Sequence, residues 1–322
     1  MTSPARIKFA HLPTAVEELP RLSELLDGPR LFVKRDDQTG LGMGGNKTRK
    51  LEFVLAQALA EGAKTLISVG GIQSNHCRQT AALAARYGLA CKLVLSGSEP
   101  QLPNGNLLLD HLFGAEITWT ERSRRDETLQ EVFQQSQAQG EHPFLIPLGA
   151  STPVGALGYV EAMRELKAQG NDFDWIIVAS SSAGTQAGMM LGATLTGFSG
   201  KVLGISIDHS VEELQAAVAE LANGAANLLG EPVSLRPIDV LVNADYLGAG
   251  YAIAGQPEVE AIQLFAHTEG LLLDPVYTGR AAAGMIDLIR KGFFKKSDKV
   301  LFWHTGGATA LFASPYAEQL KD

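Results

Sequence analysis

The stretch "MGGNKTRKLEF", residues 43–53, sets a basic cluster at the mouth of a helix, directly behind two glycines and an asparagine. Lys47, Arg49 and Lys50 fall within four positions, and an apolar pattern of helical spacing follows them. An ordinary helix start needs a capping side chain, not a glycine pair. Glycines mark a strained turn or a close approach to the backbone. A buried lysine with cations beside it loses proton affinity and becomes a nucleophile. Arg49 and Lys50 are the candidates for those cations, and a solvated basic helix start is the competing reading.

Working outward, short apolar runs alternate with longer amphipathic ones. Strands are expected at 30–36, 65–71, 90–97, 116–120, 143–149, 175–185, 202–208 and 299–307. Helices are expected at 50–63, 75–88, 106–115 and 154–170. This alternation predicts an α/β fold with parallel sheets. In open sheets of that kind ligands sit beyond the carboxyl ends of the strands, which selects the loops 40–47, 70–76, 180–188 and 304–309.

The bulk properties narrow the function. A chain of 322 residues suggests two domains, and no Pro- or Ser-rich linker separates them. A formal net charge of −8 argues against nucleic acid or an anionic membrane as partner. Cys77 and Cys91 are the only cysteines, too few for a disulfide framework or a cysteine-based zinc site. No run approaches the roughly 20 apolar residues of a membrane span, and the first 20 residues lack the apolar run of a signal peptide. A cytoplasmic protein with a small-molecule substrate is the expectation, with no metal.

Each loop carries a chemical suggestion. "ASSSAGTQAG" (179–188) runs from strand to helix, and its small residues let backbone N–H groups converge on one anion. It lacks the lysine of a nucleotide-binding loop, so a single phosphate without metal fits best. "VGGIQSNHCRQT" (69–80) offers Ser74 or Asn75 as helix cap, and Ser74 with backbone amides as a carboxylate site. Taken alone, His76 reads as a satisfied helix histidine and Cys77 as a packed thiol. "LLLDPVYTGRAAAGM" (271–285) carries Tyr277 and Thr278, and "FWHTGGATAL" (302–311) ends a strand in Thr305. A phosphate cradle, a carboxylate pocket and an activated lysine together describe pyridoxal phosphate acting on an amino acid.

Five segments in order, "GGNKTRKLEF", "GGIQSNHCRQTAA", "SAGTQAG", "LLLDPVYTG" and "HTGGATALF", resemble the family of 1-aminocyclopropane-1-carboxylate deaminase and D-cysteine desulfhydrase, which are fold-type II pyridoxal phosphate enzymes. The resemblance implies two open, twisted, mostly parallel sheet domains like those of the tryptophan synthase β subunit. The larger would combine 1–49 with 159–322 and the smaller would span 50–158, with the active site between them. It implies that Lys47 forms the Schiff base with the cofactor and then moves protons at Cα. Ser182, Ala183, Gly184, Thr185, Gln186 and Ala187 would hold the phosphate. Asn75 would contact the ring hydroxyl and Thr305 the pyridine nitrogen. Ser74, with Asn75 and His76, would meet the substrate carboxylate. Tyr277 would be a second acid–base group or a packing ring, with Tyr251 nearby and Thr278 beside it. A homodimer is implied by resemblance alone.

Two positions discriminate within the family. The cyclopropane-opening enzymes read Tyr-Glu-Gly and His-Leu-Gly-Gly where this chain has Tyr277-Thr278-Gly279 and His304-Thr305-Gly306-Gly307. D-cysteine desulfhydrases are similar to this chain at both. L-cysteate sulfo-lyase resembles it as well in "GGNKTRKLEF" and "IDLIRKGFFKK", and a sulfonate would ask for donors such as Thr278, Thr309 or Arg280. The favoured expectation is β-elimination from D-cysteine. The alternative from another class is a non-catalytic sensor of a phosphorylated metabolite, against which the intact Lys47 speaks.

Overall fold

A computed structural model describes residues 4–170 and 172–320. In chain order the strands are β1 Val16–Glu18, β2 Arg30–Lys34, β3 Thr65–Gly71, β4 Ala90–Ser96, β5 Glu116–Thr120, β6 Pro143–Ile146, β7 Trp175–Ser180, β8 Lys201–Ser206, β9 Leu241–Asn243 and β10 Lys299–Trp303. The helices are α1 Pro20–Leu26, α2 Lys47–Ala60, α3 Asn75–Tyr87, α4 Gly105–Leu112, α5 Arg125–Ala138, α6 Pro153–Ala168, α7 Gly184–Thr196, α8 Val211–Leu229, α9 Gln256–Glu269, α10 Thr278–Arg290 and α11 Tyr316–Gln319.

The strands form two sheets. One has the order β1-β2-β10-β7-β8-β9, parallel except for the antiparallel edge pair β1–β2, and the other has the order β5-β4-β3-β6, parallel throughout. Helices cover both faces, so the inner strands are apolar on both sides, as β3 "TLISVGG" shows. On the smaller sheet Leu66, Leu93 and Leu95 pack toward α3, while Ile67, Val69 and Val94 pack toward Leu129 of α5. On the larger, Val33, Ile177 and Phe302 face α9 and α10, while Ile176, Leu301 and Trp303 face Tyr159 and Met163 of α6.

The strands expected over 175–185 and 299–307 stop at Ser180 and Trp303, where they break into the polar and glycine loops, and two further spans shift. The strand expected over 143–149 stops at Ile146, because Pro147 has no N–H to donate and Gly149 turns at φ 68°. The helix expected from residue 50 begins at Lys47. α5 and α8 lie where the sequence reading assigned no element. α8 carries a capping box, with Glu213 N–H donating to Ser210 Oγ at 3.2 Å and Ser210 N–H donating to Glu213 Oε2 at 2.9 Å.

A buried charge network fastens α2 to the larger sheet. Asp36, just after β2, accepts from Arg49 Nη2 at 2.8 Å and Nε at 2.9 Å, from Tyr159 Oη at 2.6 Å and from Trp303 Nε1 at 2.8 Å. Arg49 also donates to Glu165 of α6 at 2.9 and 3.0 Å, and Lys34 Nζ donates to Glu165 at 2.6 Å. Burial works against charge on Asp36, but the Arg49 guanidinium outweighs it and holds the carboxyl below its usual range. Two anions and two cations cancel here, which is how such a cluster survives inside a protein.

Removing one partner strands the others without compensation. Asp36→Ala should cost about 3–5 kcal/mol of stability, read from urea unfolding midpoints. Glu18→Ala breaks an exposed pair with Arg30 and should cost less than about 1 kcal/mol. Equal losses in the two variants would show that the network is not structural.

Candidate active site

The glycine pair is explained by what surrounds it. Gly44 (φ 70°) and Gly45 (φ 123°) occupy backbone conformations that side chains disfavour. A β-carbon on Gly44 would stand 2.0 Å from the Asp37 carbonyl oxygen, and one on Gly45 would stand 2.7 Å from Gln79 Nε2 and 3.1 Å from the Thr305 carbonyl oxygen. Gly45 N–H donates to Asp36 O, and Asn46 N–H donates to Thr305 O, both at 3.0 Å. The loop is thereby clamped to the end of β10, and α2 starts with Lys47 on the wall of a cavity of about 1240 Å³.

Burial alone pushes the Lys47 amine down to about 8. Here the expectation that Arg49 helps is corrected, since its charge is met by Asp36 and Glu165 on the opposite side of the helix. Lys50, one turn on from Lys47, turns toward the cavity side. Its Nζ donates to Gly149 O and Ser151 Oγ, both at 3.2 Å. A β-carbon on Gly184 would lie 2.8 Å from that Nζ, so the missing side chain brings Lys50 against the start of α7. Burial first, then the Lys47 charge, hold Lys50 well below a free lysine.

The start of α7 is built for an anion. Ala183 takes φ 64°, which is costly for a residue with a β-carbon. Among the described residues the Thr185 and Gln186 amides have no protein acceptor, as befits a helix N-terminus awaiting a ligand. Ser182 Oγ accepts from Ser151 Oγ at 2.8 Å, and Thr185 Oγ1 accepts from Asn46 Nδ2 at 3.0 Å, leaving each hydroxyl its own proton to donate. Ser182, Ala183 and Thr185 line the cavity. Gly184, Gln186 and Ala187 are not on its wall; Gln186 Nε2 donates to Leu241 O at 2.8 Å, and Ala187 packs in the core under α6.

A second helix N-terminus meets the same cavity. Ser74 caps α3, accepting from Cys77 N–H at 3.2 Å, and the Asn75 and His76 amides have no protein acceptor among the described residues. Asn75 Oδ1 accepts from Asn106 Nδ2 at 2.9 Å, and this fixes its Nδ2 as a free donor. Asn106 is itself held by Arg78 at 2.9 Å and by Thr309, while Arg78 Nη2 donates to Gly44 O at 2.7 Å. Sequence reasoning missed this scaffold and gave Lys50 only the part of a cation beside Lys47; its spacing of three from Lys47 was the signal that the two share a helix face. His76 lies on the cavity wall with Nε2 2.8 Å from Ser68 Oγ. Burial, Lys47 and Lys50 push it well below 6.5, so it is neutral. Cys77 is fully buried.

Across the cavity, Tyr251 Oη and Tyr277 Oη are 2.7 Å apart, and burial raises both phenols above their usual range, Tyr277 the further. Both stay protonated at neutral pH. Thr305 also lines the cavity, and its hydroxyl has no protein partner among the described residues. Thr278 does not reach the wall. Its hydroxyl donates to Asp274 Oδ1 and accepts from Asp274 N–H, both at 2.7 Å. Asp208, which sequence reasoning missed, lines the cavity just beyond β8.

Comparisons with known proteins bear on the family and the fold. A family described as pyridoxal-phosphate dependent enzyme matches residues 7–306. D-cysteine desulfhydrase of Klebsiella pneumoniae (strain 342) is 44% identical over 317 residues, covering 96% of this chain and 95% of that one. A crystal structure of an ACC deaminase homologue aligns with a TM-score of 0.90 at 36% identity, covering 98% of this chain and 95% of the other. An L-serine ammonia-lyase from Rhizomucor miehei shares the fold, with a TM-score of 0.70 at 16% identity over 97% of this chain and 99% of that one.

Two measurements test the site without turnover. In cofactor-free protein, acylation of Lys47 followed by peptide mass spectrometry should rise through a midpoint near pH 8, because only the unprotonated amine reacts. An ordinary surface lysine titrates near 10.4, and that midpoint for Lys47 would refute its desolvation. Lys50→Met should weaken inorganic phosphate binding about tenfold by calorimetry, and an unchanged affinity would remove Lys50 from the anion site.

Proposed function

The chain belongs to the pyridoxal-phosphate dependent enzymes, and from that premise we propose that it is a carbon–sulfur lyase converting D-cysteine and water to pyruvate, ammonia and hydrogen sulfide. The observation that carries the reading is a desolvated lysine set between two helix N-termini with unpaired amides, in a chain 44% identical to a D-cysteine desulfhydrase.

The residues present fit the cofactor. The unpaired amide of Thr185 and the hydroxyls of Ser182 and Thr185 would hold its phosphate, with Lys50 behind them on Gly149 and Ser151. Asn75 Nδ2 would serve its ring oxygen and the Thr305 hydroxyl its ring nitrogen. Lys47 is the amine for its aldehyde. Bound there, pyridoxal phosphate supplies the electron sink that makes an amino acid's α-proton removable.

The remaining work falls to side chains of this protein. Ser74 Oγ with the Asn75 and His76 amides orients the substrate carboxylate. Lys47 Nζ, with a proton affinity near neutral pH, takes the proton from Cα. Tyr277, held protonated and tied to Tyr251, presents an O–H to the departing sulfur. Neutral Thr305 leaves the sink weak, which suffices when a good β-leaving group departs early.

The L-cysteate reading loses its support from the three side chains named for a sulfonate. Thr278 is spent on Asp274, Thr309 on Arg78 and Asn106, and Arg280 on Glu258 and the carbonyls of Ile207, Gly250 and Ile253. None of the three lines the cavity.

The division into 1–49 plus 159–322 and 50–158 is likewise our reading, supported by β3–β6 forming one sheet and the other strands the second. A homodimer is supported by Leu102, Leu112 and Phe312, 80%, 70% and 71% exposed around α4 and the turn it packs on. Among the described residues no helix is long and apolar enough to cross a membrane. Two unpaired buried cysteines support a cytoplasmic location.

Pyruvate release from D-cysteine should far exceed that from L-cysteate and 2-oxobutanoate release from 1-aminocyclopropane-1-carboxylate. Lys47→Ala should abolish turnover and the visible absorption band of the bound cofactor. An active K47A protein would sink the mechanism.

A further inference from the structure

At about 1240 Å³ the cavity exceeds the roughly 300–1,000 Å³ of ordinary small-molecule sites. Its inner end holds Lys47 and the other cavity-lining groups assigned above. Its outer wall, made by the ends of β4 and β5 and the turn at 121–125, has no task in the reaction on a substrate as small as cysteine.

That wall carries Ser98, Trp119, Thr120 and three arginines. Arg124 is neutralised by Glu127 at 3.0 Å and Glu131 at 3.6 Å, and Glu121 adds to its field. Arg125 pairs with Asp126 at 3.1 Å. Arg122 has no carboxylate within ion-pair distance among the described residues. Its guanidinium carbon lies 5.5 Å from the centre of the Tyr251 ring, whose hydroxyl bonds Tyr277. An uncompensated cation thus stands one ring's width from the reacting end. Asp208 acts on both phenols, and the His209 ring lies 3.6 Å from its carboxylate. It disfavours an anion beside the phenols, not one held farther out at Arg122.

We propose that Arg122 forms an outer subsite for an anionic tail on the β-substituent, so that the protein accepts D-cysteine thioethers whose sulfur bears a short carboxyalkyl group. The inference rests on the D-cysteine reading for the inner half of the ligand. The methylenes of the tail lie along Trp119, and the guanidinium takes the carboxylate in its two-pronged geometry. The chemistry balances as for D-cysteine: a base takes the Cα proton, the Cβ–S bond breaks, and its electron pair leaves as a carboxyalkyl thiolate. Water then releases pyruvate and ammonia, with no oxidant or reductant.

The test uses two ligands that have no leaving group. D-2-Aminoadipate replaces the sulfur of S-carboxymethyl-D-cysteine by carbon, and D-norleucine has the same length without the terminal carboxylate. In calorimetric titrations of the holoenzyme, aminoadipate should bind at least tenfold more tightly than norleucine. Arg122→Gln should erase that preference while norleucine affinity stays within twofold, and Arg122→Lys should retain part of it. No preference in the wild type, or equal weakening of both ligands in R122Q, overturns the subsite. Pyruvate release from D-cysteine by the same wild-type preparation separates the two readings. Its absence beside an intact aminoadipate preference removes the substrate and keeps the subsite.

Discussion

The pairing of Arg49 with Asp36 is the constraint from which the site follows. Successive helical residues point about 100° apart, so Arg49 stands nearly opposite Lys47, and Lys50 returns to the side of Lys47. Because Arg49 is buried on Asp36, Glu165 and the sheet, the rotation of α2 about its axis is fixed. Lys47 then faces the cavity, and Lys50 lies behind its wall on Gly149 and Ser151. A basic triplet that looks uniform in the sequence is divided by helical geometry into one cation held on the sheet and two on the opposite face of the helix.

That division also sets the electrostatics. The protein carries a formal charge of −8, yet α2, α3 and α7 all begin at the cavity, and each helix N-terminus contributes partial positive charge. Two lysines add to it. The outcome is mutual: the buried amines hold their protons weakly, and an arriving phosphate or carboxylate finds donors with no competing acceptor. Placing a phosphate beside Lys50 favours its charged form, so the anion and the proton stabilise one another there.

The fold was legible where strands are buried on both faces, because a run such as "TLISVGG" has no other stable place. α5 was not legible: among its 14 residues only Thr128, Leu129 and Ser136 are buried, too few for an apolar stripe. α8 had a legible cap in Ser210 and Glu213 that the reading passed over. Within the site, Ser74 and Asn75 stand out because they sit at a strand-to-helix turn, and Lys47 because it follows a glycine pair at a helix start. Lys50, Asn46 and Asp208 could not be separated from solvated polar residues without knowing which elements close over them.

Thr278 shows how a discriminating position can act without touching a ligand. It is fully buried with its hydroxyl and amide both on Asp274 Oδ1, while the other oxygen of Asp274 accepts from Tyr277 N–H at 3.0 Å. The threonine therefore completes a turn that aims Tyr277. A glutamate in its place would set a second carboxylate against Asp274, where the Arg78 charge is already shared between Asp110 and Asp274, so it would have to turn outward or carry a proton. Either response moves Tyr277. A sequence that reads Tyr-Glu-Gly here thus needs a different partner for its acid, whereas this chain's Tyr-Thr-Gly adds no charge behind Tyr277 and leaves its turn on Asp274 intact.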